Sequence, residues 1–223
     1  MVLTHDDPPR HTVVMVYAHD GQRPRSVATA RAGDGSFLFL SRPALDFAIT
    51  GGIGGYESLH SVIDIQSWVR AAFQISVDVS PADWDPALAL RAAIWQLVRA
   101  TLEGARLPAG AISVINTAAR SSPMARQLDG SVSPDPSGPS GHAPAWHWHT
   151  PVTVLGVLST VARDAIEVLA VENGSRLREC AADECALIFY DDSRSGRRRW
   201  CAAQRCGDRT RARDYRSRQR TTK

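Results

Sequence analysis

Four cysteines fall in the last 44 residues of this 223-residue chain, at positions 180, 185, 201 and 206, in the spacing C-x4-C-x15-C-x4-C. Two short-spaced thiol pairs separated by a loop can bring four thiolates to the corners of a tetrahedron, the coordination of a structural zinc ion. Four thiolates leave no position open for water, so such a metal folds the chain around itself and does not activate a reactant. A cytoplasmic setting argues against two stable disulfides. Four scattered buried cysteines would not fall as two equal pairs, and a redox pair is the remaining alternative. The metal ligands expected are Cys180, Cys185, Cys201 and Cys206.

Arginines crowd the same region. From Ser193 to Lys223 there are 12 basic and 2 acidic residues, whereas the other 192 residues carry 14 basic and 21 acidic. An acidic body with a basic tail points to a polyanionic partner, most often nucleic acid; the plainer alternative is a solvated, disordered tail. The acids of the cysteine region sit in its first half, at Glu179, Asp183, Glu184, Asp191 and Asp192. The second cysteine pair and the tail are therefore expected to face the polyanion, and the first pair to face away.

The candidate nucleic-acid contacts are Arg197, Arg198, Arg199, Arg209, Arg211, Arg213, Arg216, Arg218 and Arg220. Arginine suits the task because its planar fork pairs with phosphate or guanine at two points. If residues 208–220 form a helix, Arg209, Arg213, Arg216 and Arg220 share one face and Arg211 and Arg218 make a second row. Ala212, Tyr215 and Gln219 then form a less charged strip that can dock on the metal module. Leu187, Ile188, Phe189 and Trp200 are the expected small core around the metal, which a segment this short needs as a staple.

The elements that carry this region to its place read as mainly α. Residues 1–35 show no sustained period and form an extension without expected order, apart from HTVVMVYAHDGQ (11–22), which can be a strand and turn; SFLFL (36–40) reads as a strand. PALDFAIT (43–50) is a short helix stopped by GGIGG (51–55), a turn that lacks the GK[ST] ending of a phosphate loop. Residues 61–73 start at Ser61 with Asp64 three positions on, a capping-box pattern. In 85–104 Asp85 can cap, Pro86 suits the first turn, Leu90, Ile94, Leu97 and Val98 line one face, and Gly104 ends the helix.

A further helix is expected over 109–120 with Ile112, Ile115 and Ala119 inward. The Ser-, Pro- and Gly-rich stretch 121–145 reads as a loop with a hairpin around Asp129-Gly130, followed by a strand at 145–150. The last long helix of the body, 150–174, is expected to be capped by Thr150, with Leu155, Leu158, Ala162, Ile166 and Leu169 as its stripe. The resulting organisation is an extension (1–35), a helical domain with a small β-hairpin (36–174), and a zinc module with a basic helical tail (175–223).

At the cysteines the chain resembles a known family. Residues 176–218 are similar to the CGNR zinc finger of bacterial proteins, in the paired cysteines, the segment Phe189-Tyr190-Asp191-Asp192-Ser193-Arg194 and the step Arg198-Arg199-Trp200-Cys201. FLFLSRPALDFAIT (37–50) and the helices to about 172 resemble the ABATE domain that precedes this finger. The resemblance implies a stress-induced transcription regulator, with the finger on DNA and the helical domain as sensor. Two departures stand out. Gly207-Asp208-Arg209 replaces Gly-Asn-Arg, a change that a helix N-cap accepts readily but that adds a negative charge beside any phosphate contact. Ile49 stands in Leu45-Asp46-Phe47-Ala48-Ile49-Thr50 where the family motif has Asn.

The function expected is a DNA-binding transcription regulator, with a zinc-stabilised RNA- or protein-interaction module as the alternative. An enzyme is not expected: Asp46 and the histidines at 142, 147 and 149 are better explained structurally, and no nucleophile–base pair or open metal site stands out. The polar N-terminus and the absence of any run of 18 apolar residues point to a cytoplasmic protein without a membrane span. Duplex DNA is the expected partner. RNA, a small-molecule effector in the helical domain and a homodimer remain open.

Overall fold

The computed structural model describes residues 28–32, 35–39, 42–51, 57–134, 142–171, 174–183 and 185–221, and the strand-and-turn reading of 11–22 lies outside them. Strands β1 (Ala28–Ala32) and β2 (Gly35–Phe39) form an antiparallel hairpin with Ala30 opposite Phe37. Strand β1 thus lies inside the segment set apart as an extension. Phe37 enters the main core, and Arg42 leads into α1 (Pro43–Ala48), a short helix with every residue from Ala44 to Ala48 buried.

Helix α2 (Val62–Phe73) starts as its sequence suggests. The Asp64 carboxylate accepts from the Ser61 backbone N–H and hydroxyl at 2.9 and 3.0 Å, satisfying a donor that the first turn leaves open. Helix α3 (Trp84–Glu103) differs from expectation at its start. A 3-10 turn, Pro81–Asp83, precedes it, and Asp83 accepts from the Ser80 N–H and hydroxyl. Asp85 therefore lies in the first turn and is not the cap. Its stripe of Leu90, Ile94, Leu97 and Val98 is buried as expected, and Gly104 ends it at φ 63°.

Helix α4 (Ala109–Ala119) buries Ala111 and Ile115, while Ile112 is 37% exposed and not inward. The following hairpin, β3 (Arg126–Pro134) with β4 (His142–Trp148), does not turn at Asp129-Gly130. Those residues make a bulge inside β3, where Asp129 accepts from the Ser131 N–H and hydroxyl and Gly130 takes φ 77°. Trp148 anchors the hairpin by donating to the Phe73 carbonyl at 3.2 Å.

Helix α5 (Val154–Ile166) is capped by Thr153, whose side chain accepts from the Gly156 N–H, and not by Thr150. The buried stripe also differs from expectation: Val154, Val157, Leu158, Val161, Ala162 and Ala165 face inward, and Leu155 is 56% exposed. A wide π-helical turn, Glu167–Val171, follows it. The core lies among α1, α2, α3 and α5, with Trp68 packed between Phe47 and Phe73 at ring-centroid distances of 4.7 and 5.8 Å. Two short strands, β5 (Leu177–Glu179) and β6 (Ile188–Tyr190), and helix α6 (Asp208–Thr221) complete the chain. Among the described residues no helix is long and apolar enough to cross a membrane.

Candidate metal centre and basic surface

The antiparallel pair β5–β6, with Arg178 opposite Phe189, brings Cys180 to the end of β5, where its N–H donates to the Leu187 carbonyl at 2.9 Å. A turn closed by Cys185 N–H to Ala182 O presents Cys185. The second pair is delivered by the segment 199–207. Ala181 N–H reaches the Arg199 carbonyl, and the N–H groups of Cys206 and Gly207 both donate to Ala202 O in a π-helical turn, Ala203–Gly207.

The four sulfurs converge within 4.8 Å of one another, with Cys185–Cys201 at 3.8 Å and Cys201–Cys206 at 3.6 Å. A tetrahedral zinc with Zn–S bonds of about 2.3 Å requires sulfurs about 3.8 Å apart, so the donor set fits zinc in number, type and spacing. None of the four is in a disulfide. The Cys185 thiol is lowered to about 5 by its hydrogen bond with Cys201, and the same bond raises Cys201. A divalent cation is what allows four crowded thiols to ionise together. Donors also aim at the sulfurs: Cys201 N–H at Cys180 Sγ (3.4 Å) and Arg209 Nη2 at Cys206 Sγ (3.5 Å).

Strand β6 has two destinations. Leu187 and Phe189 join the cysteines, Ala202 and the half-buried Trp200 in a small cluster, whereas Ile188 and Tyr190 point into the core of the helical body with Leu177. Ile188 is thus a correction to the expected small core, and its place follows from strand alternation. The cluster around the metal is completed from outside: Ile49, the C-cap of α1 and 8% exposed, and Trp95 of α3 pack on it. The position at which the chain departs from the family's Asn is therefore an apolar contact with the metal module. Arg42 adds to the junction, pairing with Asp164 at 2.8 Å and lying 5.3 Å from the Tyr190 ring.

Asp191, buried and absent from the sequence-predicted sites, ties the loop that leads to the second cysteine pair. One carboxylate oxygen accepts from the Ser193 N–H and hydroxyl at 3.0 and 2.6 Å, and the other from the Arg198 N–H at 2.9 Å. Burial opposes its charge, but these bonds outweigh burial and hold it below the usual aspartate range. The signal in the sequence was Asp-x-Ser, the pattern of a side chain closing its own turn.

The arginines do not all share one surface. Arg198 turns inward over Phe189, 4.8 Å from the ring centroid, and donates to the carbonyls of Trp200 and Cys201. It holds the finger together and leaves the expected contact surface. Arg197 and Arg199 are exposed, and Arg199 lies over Trp200. Along α6 every residue from Arg211 to Gln219 is exposed, Tyr215 to 60%. The strip of Ala212, Tyr215 and Gln219 does not dock on the finger. Arg220 lies in α6, its side chain outside the described ones.

The first cysteine loop reaches the tail. Asp183 pairs with Arg213 at 2.7 Å across a groove of about 320 Å³ whose walls include Arg209 and Arg216. Asp208, the second departure from the family, opens α6, where a negative charge suits the helix dipole, and pairs with Arg211. Of the residues weighed for catalysis, Asp46 is buried in α1, His147 and His149 are exposed, and the side chain of His142 lies outside the described ones. Among the described residues the four cysteines are the one cluster of metal-ligating side chains.

Comparison with known families agrees with this anatomy. The ABATE model, described as "Putative stress-induced transcription regulator", matches residues 41–172, and the CGNR zinc finger model matches residues 176–219. Both are regulator or zinc-finger types and neither is an enzyme family. No curated protein matches the chain.

Proposed function

The chain belongs to the ABATE family and carries a CGNR zinc finger, and from that premise we propose that it is a transcription regulator that binds duplex DNA through α6 and the adjoining arginines. The observation that carries the proposal is α6 itself. It begins two residues after the metal ligand Cys206, is exposed on all sides from Arg211 to Gln219, and holds six arginines against two aspartates. A helix with no apolar face has no reason to lie on its own protein, and an α-helix fits the major groove of DNA. Zinc is structural here: it fixes the turn from which the helix projects.

In this reading the helical body senses a signal or mediates assembly, and the shared contacts of Ile49 and Trp95 with the metal cluster are the route by which body and finger affect each other. A single-stranded or RNA ligand is favoured by one observation, the exposed ring of Tyr215, since aromatic side chains stack on unpaired bases. One ring is a small platform beside so many guanidinium groups, and duplex DNA remains the better fit.

The test is binding of the zinc-loaded protein to a random duplex pool across a salt series, with sequencing of the retained molecules. Six to eight phosphate contacts predict a slope of log K against log salt of roughly −5 to −7, with an enriched motif. Absence of binding at low salt would sink the proposal.

A further inference from the structure

The side chain of Trp200 presents a puzzle. It follows Arg199, precedes the ligand Cys201, and packs one side against the metal cluster. Its indole N–H is shut away from solvent and finds no hydrogen-bond partner. A buried donor left unpaired is unfavourable, and a phenylalanine or leucine would fill apolar space without it. Trp68 in the main core has the same unpaired N–H, so what sets Trp200 apart is the use made of its ring.

That use is visible on the ring. The Arg199 guanidinium carbon lies 5.1 Å from the ring centroid and that of Arg211 lies 5.8 Å from it. One arginine comes from the loop before the second cysteine pair and the other from the first turns of α6. Both side chains are exposed, so each keeps a free edge toward solvent. Of the aromatic side chains tryptophan attracts a cation most strongly.

Gly207 is part of the arrangement. A Cβ added there would stand 3.3 Å from Arg211 Nη1 and 3.5 Å from the Trp200 ring, so the glycine leaves the guanidinium room beside the indole. Among the described residues, Asp208 is the carboxylate that pairs with Arg211.

We propose that Trp200 is a positioning residue for polyanion binding: its indole face holds Arg199 and Arg211, from two separate segments, as one preorganised pair of phosphate contacts. The proposal rests on the reading of the basic surface as a nucleic-acid site. Free arginine side chains lose rotamer freedom on binding, and two that already lie on a common ring lose less. Trp200 also packs against the cysteine cluster, so the indole links that cluster to the two guanidinium groups.

The experiment compares duplex-DNA affinity of the zinc-loaded full chain with that of Trp200→Phe, Trp200→Met, Gly207→Ala and the double variant Arg199→Gln/Arg211→Gln, each at equal zinc content measured by metal analysis. Trp200→Met is expected to weaken binding about five- to tenfold, and Trp200→Phe, which keeps a ring, less than about threefold. Gly207→Ala, which leaves the thiols and the indole in place, is expected to fall between them.

In the arginine-free background Trp200→Met is expected to add little, because the ring has nothing left to position. Equal affinities for the Met and Phe variants, or a Trp200→Met loss that persists in full without the two arginines, would overturn the role while leaving DNA binding intact. Unchanged affinity in the arginine double variant would count against the pair as contacts at all. If Trp200→Met fails to hold zinc, the same cycle run on Gly207→Ala decides the matter.

Discussion

Helices α5 and α6 are 13 and 14 residues long, and they are stabilised in opposite ways. Helix α5 buries eight of its residues, among them Val157, Val161 and Ala162, and serves as a wall of the main core. Helix α6 buries no side chain from Arg211 to Gln219. An isolated helix of this length is marginal in water, and six arginines repel one another along it. What holds α6 is its beginning: the turn at Cys206 and Gly207, the Thr210 hydroxyl on the Cys206 carbonyl at 2.8 Å, and the pairs Arg211–Asp208 and Arg213–Asp183. The contrast shows that helical structure in one chain can rest on hydrophobic burial at one end and on a metal-fixed terminus at the other.

Removing zinc should separate the two helices most sharply. Structural zinc binding in small modules is worth on the order of 10 kcal/mol, and the cluster around the cysteines has few other large apolar residues. With a chelator present, amides of α6 are expected to exchange with solvent at the rate of an unfolded peptide while those of α5 stay protected. Equal loss of protection in both helices would mean that finger and body unfold as one unit, through the Ile49 and Trp95 contacts.

Point substitutions give the next largest contrast. Val161→Ala opens a space in the centre of α5 and should cost about 2 kcal/mol in denaturant unfolding. Tyr215→Ala removes a larger side chain from α6 and should change stability by less than about 0.5 kcal/mol, because that ring is exposed. A comparable cost for the two would show that α6 is packed on something in solution.

Acid should divide body and finger by a smaller and graded effect. In the body, burial opposes the charge of Glu57, but its two-point pair with Arg91 at 2.6 and 2.9 Å outweighs burial and lowers its pKa below 4.5. A lowered folded-state value means that the pair stabilises the fold above the unfolded carboxylate's pKa and stops doing so as pH falls through the folded value. The urea midpoint of the intact protein should exceed that of Glu57→Gln at pH 6, and the gap should close as pH falls through the folded value. The finger should let go at higher pH than this, since protons compete with zinc for the thiolates. A gap between the two proteins that persists once the carboxyl is protonated would assign the effect of Glu57 to packing.

Much of the metal centre could be read from the chain alone. The thiol spacing is local, and a tetrahedral ion accepts few arrangements of two short pairs, so Cys180, Cys185, Cys201 and Cys206 were identifiable without any fold. The helical stripe of α3 was legible for the same reason, since a 3.6-residue period repeats within one element. The start of α5 was not, since Thr150-Pro151 and Thr153 offer competing caps three residues apart, and packing against the body left Leu155 outside the core. Arg198 looked like its neighbours in sequence. Its inward turn follows from the loop that Asp191 closes, where a backbone bond to Arg198 sets the side chain over Phe189.

Local chemistry thus settled the metal, the charge asymmetry and the kinds of elements, because each depends on residues a few positions apart. Which face meets which was settled by contacts between distant segments. Asp164 receives the Ala44 N–H across 120 positions, Ile49 and Trp95 complete a cluster whose cysteines begin at 180, and Asp183 reaches Arg213 in the tail. Such pairings cost chain entropy that no short window records, and they form because burial and charge pairing repay it only once the whole fold is assembled.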